Sequence, residues 1–200
     1  MEWINYSYSQ EGEDIILDNI FERKKEGFYI DIGAYHPFQY SNTMRFYERG
    51  WHGLNIDATP GCKNLFNRYR KRDINIEAGI TEDNSELIYY IFKEGALNTF
   101  DENRIEQLKS FGYIPSEKKL IKTHTIMEIL DKYVEAGQII DFMDIDIEGF
   151  DEKVISQMDF GKYQPTVILI ENLEGRGSVT LENNGYKIIA FTGRSAIYKK

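Results

Sequence analysis

Acidic residues close several short apolar runs of this sequence, in a pattern typical of a ligand-binding edge of a sheet. Asp31 lies in the run Phe28–Ile32, which Gly33 ends, and Asp57 ends a second run. The carboxyl ends of parallel strands share one edge, where open α/β proteins bind their ligands. Gly33 would let the backbone approach a ligand closely. Asp31 is suited to accept hydrogen bonds from an ammonium group, and Asp57 from two ribose hydroxyls.

A second acidic group follows later in the chain. Asp144 and Asp146 alternate on one strand-like run and so share a face, Glu148 follows them, and the next run ends in Glu171-Asn172. Asp146, Glu171 and Asn172 offer oxygen ligands of the kind that Mg²⁺ or Mn²⁺ prefers. Two alternatives stay open. The acids can accept hydrogen bonds from loop amides without a metal, or Asp146 or Glu148 can act as a general base on an acceptor hydroxyl.

His36 is a further candidate base, because its unperturbed pKa is close to neutrality and it lies in the loop that follows Gly33. The alternative is a loop histidine held by backbone hydrogen bonds beside Pro37. His52 and His124 are interpreted as structural. The dinucleotide fingerprint G-x-G-x-x-G is absent, since Ala34-Tyr35-His36 follows Gly33.

The elements that must position these residues alternate between strands and helices, which predicts a parallel sheet with right-handed crossovers. Ser9 is a plausible N-cap of a first helix that ends near residues 24–25. Five parallel strands are expected, followed by a closing hairpin over residues 185–199. We expect residues 85–92 to add a strand at a sheet edge. Residues 93–124 are predicted to form a lid or acceptor-site insertion in one domain of 200 residues.

Composition excludes several classes of protein. A net charge of −9 argues against a general nucleic-acid binder. Cys62 is the only cysteine, which excludes an intramolecular disulfide and a cysteine-based zinc site. No apolar run reaches the ~18 residues of a membrane helix, and residues 1–10 lack an apolar signal core. We therefore expect a cytoplasmic protein without membrane insertion, and a homo-oligomer is left open.

Six motifs in this order resemble the FkbM-type methyltransferase family, and they span residues 9 to 171. They are Ser9-Gln10-Glu11-Gly12-Glu13-Asp14, Tyr29-Ile30-Asp31-Ile32-Gly33-Ala34-Tyr35-His36-Pro37, Tyr40-Ser41-Asn42-Thr43, Gly50-Trp51-His52-Gly53-Leu54-Asn55-Ile56-Asp57, Ile145-Asp146-Ile147-Glu148-Gly149 and Val167-Ile168-Leu169-Ile170-Glu171. The resemblance implies a Rossmann-like class I methyltransferase fold, a mostly parallel seven-stranded sheet with a C-terminal antiparallel hairpin. It also implies S-adenosylmethionine as the cofactor. The candidate cofactor-binding residues are Gln10, Asp31, Gly33, Ala34, Ser41, Asn42, Asp57 and Asp144.

The resemblance predicts methyl transfer from S-adenosylmethionine to a hydroxyl group of a sugar, a glycan or a related metabolite. Asp146, Glu148 or His36 would take the proton, and Mg²⁺ or Mn²⁺ at Asp146, Glu171 and Asn172 could lower the pKa of the hydroxyl instead. Two alternatives are a nicotinamide-dependent oxidoreductase and a non-catalytic binding module on the same fold. The missing fingerprint and the terminal hairpin count against the oxidoreductase.

Overall fold

A computed structural model describes residues 4–171, 175 and 177–200. Ten strands and seven α-helices are seen in these ranges, together with a short 3₁₀ helix at Gly95–Leu97. The strands are β1 (Phe28–Ile32), β2 (His52–Asp57), β3 (Ile74–Glu77), β4 (Gly79–Ile80), β5 (Glu86–Ile91), β6 (Glu117–His124), β7 (Phe142–Ile145), β8 (Val167–Glu171), β9 (Lys187–Phe191) and β10 (Ser195–Lys199). The helices are α1 (Glu13–Ile20), α2 (Met44–Arg49), α3 (Cys62–Tyr69), α4 (Glu102–Ser110), α5 (Ile126–Tyr133), α6 (Asp151–Ser156) and α7 (Val179–Asn183).

Seven strands form the main sheet, in the order β3-β2-β1-β7-β8-β10-β9. The first five of these are parallel to their neighbours, whereas β10 is antiparallel to both β8 and β9. The last strand in the chain is thus inserted antiparallel beside β8. This order confirms the predicted class I methyltransferase sheet with its C-terminal hairpin.

Hydrophobic cores cover both faces of the main sheet, so its central strands β1, β7 and β8 are buried on both sides. In β1, Phe28, Ile30 and Ile32 pack into one core with α5, α6 and α7. Tyr29 points to the opposite face and packs with Leu17 of α1 and with other residues of a second core. Asp31 has the same parity as Tyr29, so its carboxylate lies on the face that α1 and α2 cover.

A second, three-stranded sheet departs from the expectation for residues 85–92. The strand β5 pairs antiparallel with β6, and β6 pairs parallel with β4, in the order β4-β6-β5. The predicted strand therefore exists, but it does not extend the main sheet. The residues that were expected to form a lid supply β6 and α4, and α4 packs on Tyr90 of β5 through Ile105 and Leu108.

The first helix is shorter than predicted. It begins at Glu13 with Gly12 in the N-cap position, and Ser9 instead accepts a hydrogen bond through Oγ from the backbone N–H of Asp14. It ends at Ile20, because Glu22 and Arg23 adopt left-handed backbone angles that stop a helix. Within the described ranges, no helix has the length and apolar character needed to cross a membrane.

Candidate active site

A cavity of about 270 Å³ opens at the carboxyl ends of the parallel strands. Residues that follow β1, β2, β3 and β7 line it, as does Glu171 at the end of β8. Ligands of open α/β sheets bind at this edge. The second sheet closes the opposite side through Tyr89 and residues 94–100.

Gly33 brings the backbone after β1 against the backbone after β7. Its φ of +89° lies in the left-handed region that favours glycine. A Cβ on this residue would collide with the carbonyl group of Asp146, whose carbon atom would be 2.7 Å away. Only glycine therefore permits both this turn and the close approach of the two loops at the cavity wall.

Asp57 is buried and is held by backbone N–H groups. Its Oδ2 accepts a hydrogen bond from the N–H of Tyr35 at 2.8 Å, and its Oδ1 accepts one from the N–H of Thr59 at 2.7 Å. Burial raises the pKa of this carboxyl group, while these hydrogen bonds oppose the shift. Each oxygen keeps a further lone pair, so the carboxylate can still accept two hydrogen bonds from a ligand.

Asp31 and Asp144 lie behind the cavity wall rather than on it. They are paired in register on β1 and β7 and are 3% and 4% exposed. Thr43 donates a hydrogen bond to Asp31 at 2.8 Å, and Asn42 donates one to Asp144 at 2.7 Å. Burial raises the pKa of Asp31 to about 6 and that of Asp144 well above its ordinary value, the latter with a contribution from Asp31. Two buried acceptors, Asn42 Oδ1 and Asp144 Oδ1, have no hydrogen-bond partner among the described residues.

Three carboxylates meet at the ends of β7 and β8, which we call the acid cluster: Asp146, Glu148 and Glu171. Each contributes an oxygen atom within 4.8 Å of the others. Glu148 has a left-handed φ of +49°, and its Oε2 accepts a hydrogen bond from Arg104 Nε at 2.9 Å. A non-glycine residue in this conformation carries backbone strain, which is common at functional sites.

The acid cluster binds protons unusually tightly. Burial and then the neighbours Asp146 and Glu148 raise the pKa of Glu171 to about 10. Asp146 is exposed to the open cavity and has protein around it on the other sides; desolvation, followed by the charge of Glu148, raises its pKa well above the usual range. Burial also raises the pKa of Glu148, and Arg104 opposes that shift. The three carboxyl groups therefore titrate as a coupled set and retain protons to higher pH than isolated carboxyl groups do.

His36 lies apart from these groups and is not among the described residues that line the cavity. Its Nδ1 accepts hydrogen bonds from the N–H groups of Phe38 and Gln39 at 3.2 and 3.0 Å. In the neutral ring the proton then lies on Nε2, so neither nitrogen has a free lone pair for a substrate. Burial also lowers the pKa of the ring. This geometry matches the alternative of a loop histidine held by its backbone.

The structure brings together only some of the predicted site residues. Those that line the cavity are Gln10, Gly33, Asn42, Asp57, Asp146, Glu148 and Glu171. Asp31, Ala34, Ser41 and Asp144 are buried nearby and support the wall. The predicted metal ligand Asn172 lies outside the described residues.

Sequence reasoning missed several lining residues. Tyr89 and Phe100 form an aromatic wall, with ring centroids 4.5 Å apart, and Asn98 donates a hydrogen bond to Thr59 at 3.1 Å. Tyr89 lies in β5, where the sequence predicted a strand but no site residue, and Asn98 and Phe100 lie in the following segment, which has no clear periodicity. Arg194 enters the cavity from the turn between β9 and β10. The predicted topology placed that turn at the carboxyl edge of the sheet, and this was the one signal that could have indicated Arg194.

Comparison with known proteins gives the following matches. One solved structure is methyltransferase FkbM from Methylobacillus flagellatus, with 14% identity and a TM-score of 0.46. The match covers the whole of this chain, which spans 45% of the length of that protein. Another is a TehB-like SAM-dependent methyltransferase from Corynebacterium glutamicum, with 11% identity, coverage of 95% and 88% of the two chains, and a TM-score of 0.46. No curated protein sequence gave a significant match.

A family model, described as the methyltransferase FkbM domain, matches residues 31–188. That range contains Gly33, Asp57 and the whole acid cluster, and it is most of the chain. The chain belongs to the FkbM methyltransferase domain family.

Proposed function

We propose that this protein transfers a methyl group from S-adenosylmethionine to a hydroxyl group of a sugar, a glycan or a related metabolite. One observation carries the proposal: a single cavity has the buried carboxylate of Asp57 at one end and the acid cluster at the other. The first suits a ribose, and the second suits an acceptor that gives up a proton. Membership of the family implies the methyl donor.

The lining residues fit S-adenosylmethionine along its length. Tyr89 and Phe100 offer an aromatic wall for a flat base, and Asp57 offers free lone pairs to two hydroxyls. Asn42 Oδ1 lines the cavity and has no partner among the described residues, so it suits an ammonium group, while Asp144 behind the wall orients the Asn42 amide. Gly33 keeps the wall between these regions free of a side chain.

The cofactor, when bound, supplies an electrophilic methyl group on a sulfonium centre. The residues of this chain hold the acceptor oxygen in position, which is the main requirement of such a transfer. Asp146 faces the open cavity, so we assign it the first contact with the acceptor hydroxyl. The ionised carboxylate of Asp146 takes the hydroxyl proton, and the raised pKa values of Glu148 and Glu171 support a cluster in which that proton can be shared.

A divalent cation is an extension of the same proposal. The acid cluster would hold Mg²⁺ or Mn²⁺ through one oxygen from each of Asp146, Glu148 and Glu171. Such an ion would lower the pKa of the acceptor hydroxyl. Glu148 is thus a candidate metal ligand beside the predicted ligands Asp146 and Glu171, whereas the sequence had suggested it only as a base.

Calorimetry with S-adenosylhomocysteine, with and without Mg²⁺, tests the proposal. We expect micromolar binding, and absence of binding would refute the assignment of the cavity. Transfer of labelled methyl from S-adenosylmethionine to a panel of sugars then tests the reaction. Binding of the cofactor product without turnover on any hydroxylated acceptor would favour the remaining alternative, a non-catalytic module. The match to a methyltransferase family argues against the alternative of a nicotinamide-dependent oxidoreductase.

A further inference from the structure

The cavity carries an uneven distribution of charge. Among the lining residues in the described part of the chain, six are acidic and one, Arg194, is cationic. The acids are Glu13, Asp57, Glu94, Asp146, Glu148 and Glu171. A ligand with a negative group would be repelled along most of this wall and attracted at Arg194.

Arg194 lies at the acceptor end of the cavity. It precedes β10, and Ser195, the next residue, is paired in register with Glu171 of the acid cluster. From β2, which carries Asp57, to β10 there are four strand spacings in the sheet, a backbone separation of about 19 Å. Arg194 therefore stands beside the groups that the proposed function places against the acceptor, and far from the proposed ribose site.

The backbone around Arg194 is held by residues that precede α1 or begin it. Its N–H donates a hydrogen bond to Glu11 Oε2 at 2.8 Å, and Thr192 donates one to Glu13 Oε1 at 2.8 Å. Within the turn, the N–H of Ser195 donates to Thr192 Oγ1 at 3.1 Å. Arg194 thus lies in a turn whose backbone is held by hydrogen bonds to Glu11 and Glu13 and within the turn itself.

The guanidinium group of Arg194 has no partner among the described residues. Its side chain is exposed, and no hydrogen bond or ion pair joins it to another residue within the ranges that the structure describes. Its charge nevertheless lowers the pKa of both Asp146 and Glu148 against the larger effect of burial. By contrast, Arg104 is bound to Glu148 at 2.9 Å. A guanidinium fork matches carboxylate and phosphate groups with two parallel hydrogen bonds.

We propose that Arg194 binds an anionic group of the acceptor, a carboxylate or a phosphate, and so selects acidic sugars over neutral ones. This inference rests on the proposed function, because it names the class of acceptor for the same cavity.

The test uses the full chain saturated with S-adenosylhomocysteine, titrated with glucuronate, glucose 6-phosphate and glucose in ligand-observed NMR. We compare the wild type with Arg194→Gln, and with Arg68→Gln as a matched control on the exposed side of α3. One of the two acidic sugars should bind the wild type at least tenfold more tightly than glucose does. Arg194→Gln should lose that advantage and Arg68→Gln should keep it. The sugar that shows the effect identifies the anion as carboxylate or phosphate.

Calorimetry with S-adenosylhomocysteine distinguishes two possible ligands of Arg194, the anionic group of the acceptor and the carboxylate of the cofactor. The affinity for S-adenosylhomocysteine should be unchanged in Arg194→Gln. A tenfold loss there, with no change for the acidic sugars, would assign Arg194 to the carboxylate of the cofactor and overturn the proposal. Equal binding of acidic sugars to wild type and Arg194→Gln would also overturn it. Should the wild type bind no S-adenosylhomocysteine, the proposed function fails, and the same sugar titration without it decides the role of Arg194 alone.

Discussion

The substitution Gly33→Ala probes the contact that joins the loops after β1 and β7. Alanine must adopt a φ near +89° and place its Cβ 2.7 Å from the carbonyl carbon of Asp146. The obstacle is backbone at the end of a buried strand rather than a flexible side chain, so it cannot rotate away. The loop that carries the acid cluster has to move instead.

The magnitude has two parts. A left-handed backbone costs a non-glycine residue roughly 1–2 kcal/mol, and forcing atoms into a packed region costs about 1–3 kcal/mol more. Gly33→Ala should therefore lower the free energy of unfolding by about 2–5 kcal/mol. For a chain of this size, each kcal/mol shifts Tm by about 2–4 °C, so a loss of about 4–20 °C is expected.

The matched control is Gly137→Ala, because Gly137 has a φ of +82° and an added methyl group there would meet no atom within 4 Å. It should show the backbone cost alone, about 1–2 kcal/mol. Urea denaturation of both variants gives the difference, which is the cost of the collision with Asp146. Equal losses of stability in the two variants would refute the argument that Gly33 is required by close packing. Calorimetry should also show weaker binding of S-adenosylhomocysteine to Gly33→Ala only.

Three further outcomes are expected. Asp57→Asn should weaken S-adenosylhomocysteine binding about 10- to 100-fold in calorimetry, since hydrogen bonds to a charged group contribute about 1.5–3 kcal/mol; unchanged affinity would contradict the ribose assignment. The pKa of Glu171 is about 10 when folded and 4.5 ordinarily, so the wild type should lose stability as pH rises between these values. In urea denaturation at pH 5, 7 and 9, the free energy of unfolding of Glu171→Gln should change less with pH than that of the wild type. The same change with pH in both proteins would contradict the assignment of a raised pKa to Glu171. Arg70→Met should cost about 3–5 kcal/mol in urea denaturation, because it leaves the buried Asp73, 3.0 Å from Arg70, without its cation; a loss below about 1 kcal/mol would show that the other partners of Asp73 suffice.

The parts of the fold that carry a strong local signal could be predicted from the sequence. Apolar runs that end in an acid or a glycine located β1, β2, β7 and β8, and the closing hairpin indicated the strand order. The strand β5 of the second sheet was predicted, but β6 was not, because three of its eight residues are lysines and only one of the eight is buried. Its identity as a strand depends on pairing with β5.

Only part of the candidate site could be predicted from the sequence. Residues directly after strands, such as Asp57 and Asp146, follow from the topology alone. The burial of Asp31 and Asp144 behind the wall depends on side-chain packing against α1 and α2, which a sequence pattern does not contain. The backbone hydrogen bonds to Nδ1 of His36 likewise depend on a turn of the loop. Arg194 enters through a contact between distant parts of the chain.

The position of β10 between β8 and β9 also constrains the order of folding. Since β9 is hydrogen-bonded into the main sheet through β10, it can join that sheet only together with β10 or after β10 has paired with β8. Until then β8 is an open edge of nearly continuous apolar residues, Val167–Glu171. Such an edge is a template for pairing with other chains. Slow docking of the hairpin would therefore favour aggregation, and mutations in its turn would reduce the yield of folded protein even where they spare the cavity.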